Sequence, residues 1–126
     1  MNVVDSSGWV EYFFDSARAD LFAAAIEDVT KLLVPVVSIF EVHKVLSRKL
    51  PAGAVLSCLD VMRQGRVLDL TDKRAVAAAD IASKHKLAMA DAVIYSMAIE
   101  FDGTLWTQNV NYKVLPSVNY FDKPLA

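Results

Sequence analysis

The sequence holds one cysteine, Cys58, which excludes an intrachain disulfide and a thiolate metal cage. Cys58 lies in AGAVLSCLDVM, flanked by apolar residues at helical spacing, and reads as a packed, inert thiol. Glycine and proline number four each against 55% hydrophobic residues, a composition that excludes a disordered or linker-like chain. No run approaches the roughly 18 uninterrupted apolar residues of a membrane span. The N-terminus also lacks the basic start and long apolar stretch of a signal peptide, so a soluble cytoplasmic protein is expected. Thirteen basic against fifteen acidic residues give a net charge of −2, without the global positive charge of many nucleic-acid binders. The two histidines, His43 and His85, sit in no zinc motif such as H-E-x-x-H and read as ordinary helix residues. A G-x-S-x-G elbow, a P-loop and a G-x-G-x-x-G turn are all missing. Ser6 and Ser7, with no histidine nearby in sequence, read as caps rather than nucleophiles.

What is there is an alternation of short strand-like runs and longer helical ones over 126 residues, enough for one domain with a sizeable core. Residues 2–4 read as a first strand, 7–15 and 18–28 as helices. The run KLLVPVVS at 31–38 suits a strand buried on both faces. Pro35 interrupts a ladder, which places that strand at an edge or makes it short. Ser38 then opens a helix through Leu50, stopped by Pro51, and a further helix covers 53–64. RVLDL at 66–70 reads as a third strand, followed by an alanine-rich helix from Thr71–Asp72 to about Lys86. The next helix runs from Ala90 or Asp91 to Phe101, with Ile94, Met97, Ala98 and Phe101 on one face. TLWTQ at 104–108 and SVNYF at 117–121 complete the strands. Such alternation is the pattern of a mostly parallel sheet with helices on both faces.

Given that layout, Glu11, Asp15, Asp20, Glu27, Asp28, Asp60, Asp80 and Glu100 fall where solvent is expected. Asp5, Glu41 and Asp91 fit that description less easily. Asp5 ends the first strand, at the sheet edge where open α/β folds bind ligands. Glu41 follows the second strand, and Asp91 opens a helix inside the apolar run LAMADAVIYSMA. Each has a purely structural alternative: Asp5 as a helix cap, Ser38-x-x-Glu41 as a capping box, Asp91 as a first-turn acid. Together the acids after strands one and two converge at one sheet edge. Clustered carboxylates raise one another's pKa unless a positive group compensates, and oxygen ligands suit Mg²⁺ or Mn²⁺. Glu41, Lys44 and Arg48, spaced i, i+3, i+7, share a helix face, where the two cations suit phosphate contacts or an ordinary solvated face. Trp9, Tyr12 and Phe13 on the first helix and the Tyr95–Phe101 helix are candidate partner surfaces.

The segments VVDSSGWVEYF, PVVSIFEVHKVL, LAMADAVIYSMAIEFDGTLWTQN and LPSVNYF together resemble the PIN-domain ribonucleases, most closely the VapC-type toxins of prokaryotic toxin–antitoxin modules. The resemblance covers nearly the whole chain, as a single domain over 1–126. It implies an α/β fold, a three-layer α/β/α sandwich on a mostly parallel four- to five-stranded sheet. It also implies a Mg²⁺- or Mn²⁺-dependent endoribonuclease acting on tRNA or ribosomal RNA, dimeric, and held inactive by a cognate antitoxin. Asp5, Glu41 and Asp91 match the family's acids, with Asp5 and Asp91 on the metal and Glu41 a further or water-mediated ligand. Ser6 and Thr107 match its accessory polar positions. After the fourth strand the family reads Thr-x-Asp, often with a second Asp and an aromatic. Here the sequence is Thr107-Gln108-Asn109-Val110-Asn111-Tyr112. Asn109 is the fourth member of the catalytic set but brings no charge, which weakens a second metal site more than the first.

Two other readings stand beside the nuclease. A PIN-like module with a weakened acid set would bind RNA or protein without cutting, and Asn109 favours it. A receiver-like signalling domain would need an acid ending strand three and a lysine ending strand five. Asp69 within VLDL and the pair Asp122–Lys123 meet that need poorly.

Overall fold

The structure, a computed structural model, describes residues 1–124. Along the chain run β1 (Asn2–Val4), α1 (Ser6–Phe13), α2 (Ala19–Glu27), β2 (Leu32–Pro35), α3 (Val36–Leu46) and α4 (Ala52–Met62). There follow β3 (Arg66–Leu68), α5 (Asp72–His85), α6 (Met89–Glu100), β4 (Thr104–Thr107) and β5 (Val118–Tyr120). Single 3₁₀ turns at Val29–Lys31 and Val110–Tyr112 lead into β2 and follow β4. The strands form one five-stranded sheet in the order β3-β2-β1-β4-β5, with every neighbouring pair parallel.

Side-chain alternation along the strands divides the core into two layers. Val3, Leu33, Leu68 and Leu105 face α5 and α6, where they pack with Ile94, Tyr95 and Met97. Val4, Leu32 and Val34 face the opposite way, against Trp9 and Phe22 of α1 and α2 and against Val42, Leu46 and Leu59 of α3 and α4. The molecule is therefore a three-layer α/β/α sandwich, as the sequence predicts. Gly8 lets α1 settle directly on the sheet: a Cβ there would lie 2.6 Å from the Phe22 ring and 2.7 Å from Val4.

Several boundaries differ from the sequence reading, each for an identifiable reason. Pro35 is the last residue of β2, which is short but interior, lying between β3 and β1. At that end its missing N–H interrupts nothing, and it serves as the residue preceding α3. Helix α3 consequently starts at Val36 and ends at Leu46, so Ser38 is inside it and caps nothing. The Ser38 hydroxyl is buried without a hydrogen-bond partner among the described residues, and the capping-box reading fails. Helix α6 has no single apolar face, because Ala92–Ala98 are all buried between the sheet and α5. Trp9 and Tyr95 are fully buried and form no partner surface.

The chain leaves β1 toward β2 and β3 on one side and returns through β4 to β5 on the other. The reversal falls between β1 and β4, whose carboxyl ends therefore flank the switch point of the sheet. This order also removes the receiver-like reading. That fold runs 2-1-3-4-5 and places its third strand beside the first, whereas here β2 separates them and Asp69 is an exposed residue beyond β3.

Candidate active site

Asp5 follows β1 directly at the switch point and is 4% exposed. Asp5 thus both stands at the carboxyl end of β1 and caps α1. Its backbone is extended and its side chain caps α1, with Oδ1 accepting from the Gly8 amide at 3.2 Å and the Ser7 hydroxyl at 3.0 Å. Its Oδ2 points to the end of β4 and accepts from the Thr107 hydroxyl at 2.8 Å. Burial raises the Asp5 pKa to about 6, against the lowering by Thr107, Ser7 and Gly8, and the negative charge of Asp91 raises it further. Among the described residues neither Asp5 nor Asp91 forms an ion pair with a side-chain cation.

Asp91 enters from α6. The cap position there is Ala88, which offers no side-chain bond, so Asp91 lies in the first turn near the positive end of the helix dipole. Glu41, half-buried on α3, accepts from the Ser6 hydroxyl at 2.6 Å. Tyr112 joins the three acids from below: fully buried, it donates to the Asp91 carbonyl oxygen at 2.9 Å. Its pKa is driven far upward, first by burial and then by the charges of Asp91, Asp5 and Glu41, all of which bear on the one phenol. The charges of all three predicted acids thus bear on this one phenol.

Thr107 links the set to the loop after β4, because its Oγ1 also accepts from the Asn109 amide at 2.9 Å. The Asn109 side-chain oxygen accepts from the Asn111 amide at 3.0 Å and so caps the 3₁₀ turn. It is Asn111, through Nδ2 at 3.5 Å, that reaches Asp91. Lys44 lines a different groove, with Phe40, His43 and Arg63, away from Glu41 and Ser6. Arg48 is exposed beyond the end of α3, and neither cation forms an ion pair among the described residues.

Beside the acids lies a groove of about 360 Å³ lined by Ser6, Ser7, Val10, Glu11, Glu41, Val45, Gln108 and Lys123. Glu11 is not a solvent-facing acid as its helix position suggests. It lies 3.8 Å from Arg18 Nε and accepts from Gln108 Nε2 at 2.9 Å. Arg18, Gln108 and Lys123 have no local signature, since the Arg18–Gln108 bond joins residues 90 positions apart. Tyr112 was accessible as the aromatic that follows the Thr107 segment.

The donor set is all oxygen, the chemistry a hard divalent cation prefers. Asp5 and Asp91 are the pair whose charges meet, while Glu41 is engaged by Ser6. Among the described residues no three acid, histidine or cysteine side chains stand close enough to enclose a metal ion together. The residues fit a cation held by two carboxylates and water, with Glu41 reached indirectly.

The sequence matches the family described as PIN domain over residues 3–116. The chain belongs to the PIN domain family. The fold agrees with solved structures of low sequence identity. A toxin–antitoxin complex from Klebsiella pneumoniae matches with a TM-score of 0.78 at 16% identity, covering 94% of this chain and 96% of that one. VapC20 of Mycobacterium tuberculosis, described as a toxin that cleaves the sarcin–ricin loop, gives 0.77 at 13% identity, covering 94% and 97%. VapBC2 from Rickettsia felis, bound to a promoter DNA fragment, gives 0.73 at 16% identity, covering 96% and 98%. No protein of curated function matches this PIN domain by sequence. Among its described residues no helix is long and apolar enough to cross a membrane.

Proposed function

We propose that this PIN domain is a Mg²⁺- or Mn²⁺-dependent endoribonuclease, the toxin of a toxin–antitoxin pair, acting on tRNA or ribosomal RNA in the cytoplasm. The observation that carries the reading is the buried Asp5 carboxylate at the β1/β4 switch point, held by Ser7 and Thr107 and facing the charge of Asp91, with no side-chain cation paired to either acid among the described residues. A buried carboxylate beside a second acid costs stability unless it binds something positive. The toxins among the structural relatives, one of them described as cleaving the sarcin–ricin loop, support the substrate class. Those described as toxin–antitoxin or VapBC complexes support an antitoxin partner. A homodimer is part of the same proposal.

In this account Asp5 and Asp91 hold the cation, and Thr107 and Ser7 keep the Asp5 carboxylate fixed by donating to its two oxygens. A bound divalent ion supplies a water of lowered pKa and neutralises charge on the phosphate oxygens. Ser6 orients Glu41 through its 2.6 Å hydrogen bond, leaving the other Glu41 oxygen to accept from a water. Asn109 acts through the backbone, holding the turn that presents Asn111 and Tyr112 to Asp91.

The engaged Asn109 oxygen and the amide at Asn111 favour a second reading, a PIN domain that binds RNA without cutting it. Incubating antitoxin-free protein with total tRNA and rRNA, in Mg²⁺, in Mn²⁺ and in EDTA, separates the two. Discrete cuts that need the metal and vanish in Asp5→Asn establish the nuclease. Equal behaviour of wild type and variant leaves the binding module.

A further inference from the structure

The groove beside the acids is bounded by two carboxylates, Glu11 and Glu41, and by one cation, Lys123. A polyanion drawn toward clustered carboxylates needs local positive charge. Arg18 cannot provide it, being paired with Glu11 and engaged by three acceptors: Gln108 Oε1, the Phe121 carbonyl at 3.2 Å and the Asp122 carbonyl at 3.1 Å. Lys44 faces another groove. Lys123, in contrast, is exposed and forms no ion pair among the described residues.

The segment carrying Lys123 is held in place rather than trailing. The Phe121 amide donates to the Thr107 carbonyl at 2.9 Å, which extends the β4–β5 pairing past Tyr120. The Phe121 ring packs edge-on against Phe22 at 5.4 Å and against Trp106 at 6.1 Å. Arg18 then holds two successive carbonyls, and Lys113 pairs with the Asp122 carboxylate at 3.5 Å. Lys123 is the next residue, and it lines the same groove as Ser6 and Glu41.

We propose that Lys123 contacts a backbone phosphate of the RNA strand flanking the cleavage position, and that Arg18 is a positioning residue that clamps the segment bearing it. This rests on the nuclease reading above. A lysine ammonium is a flexible point charge, so the contact orients the strand without reading its bases.

The test measures binding of fluorescein-labelled total tRNA to the uncleaving Asp5→Asn protein between 50 and 200 mM salt, with and without Lys123→Ala, Lys123→Arg or Arg18→Ala. Losing one phosphate contact lowers the slope of log affinity against log salt by about 0.7. The deficit of Lys123→Ala therefore shrinks about 2.6-fold across that fourfold salt range. Lys123→Arg restores the slope, and Arg18→Ala lowers it although Lys123 is present. An unchanged slope in Lys123→Ala overturns the phosphate contact. A full slope in Arg18→Ala overturns the clamp. Failure of the Asp5→Asn parent and of the wild-type protein in Mg²⁺ alike to bind tRNA overturns the RNA reading itself, a result distinct from both.

Discussion

Replacing Asp5 by Asn turns the electrostatic argument into a stability measurement. The Asp5 pKa rises from 3.8 to about 6 on folding, chiefly through burial. Below pH 3.8 the carboxyl is protonated in both states and carries no penalty. Between the two values the native state keeps its proton while the unfolded state has lost it, so stability falls as pH rises. Above pH 6 both states are ionised and the loss is complete. At 1.36 kcal/mol per pH unit the full effect is about 3 kcal/mol, of which about 2 kcal/mol develops between pH 4.5 and 7. Asn cannot ionise, but its amide puts an N–H₂ donor where one of the two acceptor oxygens stood, so at least one of the bonds from Ser7, Gly8 and Thr107 is lost, at a cost of about 1 kcal/mol or more. The expected result, by urea unfolding in EDTA, is a variant near or below wild-type stability at pH 4.5 that gains on it by about 2 kcal/mol at pH 7. A stability difference that is flat across this range would refute the buried, unbalanced carboxylate.

Thr107→Val removes the donor to Asp5 and the acceptor of the Asn109 amide. It should cost about 1–3 kcal/mol at pH 7 and move the Asp5 transition to higher pH. A urea midpoint within error of wild type would show these bonds to be replaceable. Gly8→Ala forces a Cβ to 2.6 Å from Phe22, and overpacking of this kind should cost about 1–3 kcal/mol. A neutral thermal melt would mean that the Phe22 ring yields freely.

The fold was legible because its signals are local. Strand alternation, helix periodicity and the acids following β1 and β2 can each be seen within a dozen residues. Of the two alternatives that Pro35 offers, a short strand holds and an edge strand does not, because a proline in the middle of an apolar run and one at a strand end look the same until the pairing with Leu68 is known. Ser38 and Glu41 have the spacing of a capping box, yet the helix begins two residues earlier and Glu41 bonds to Ser6, 35 positions away. The sequence of α6 suggests one apolar face because periodicity cannot report that α5 covers the other. Arg18, Gln108 and Lys123 were out of reach for a similar reason, as their roles exist only where β4, β5 and α1 meet.

The most direct test of the central claim is a calorimetric titration of metal-free protein with Mn²⁺. The account predicts saturable binding in the wild type that is abolished by Asp5→Asn, strongly weakened by Asp91→Asn and unchanged by Lys123→Ala. Absence of binding in the wild type, or equal binding in the wild type and Asp5→Asn, would contradict a divalent-cation site at the β1/β4 switch point.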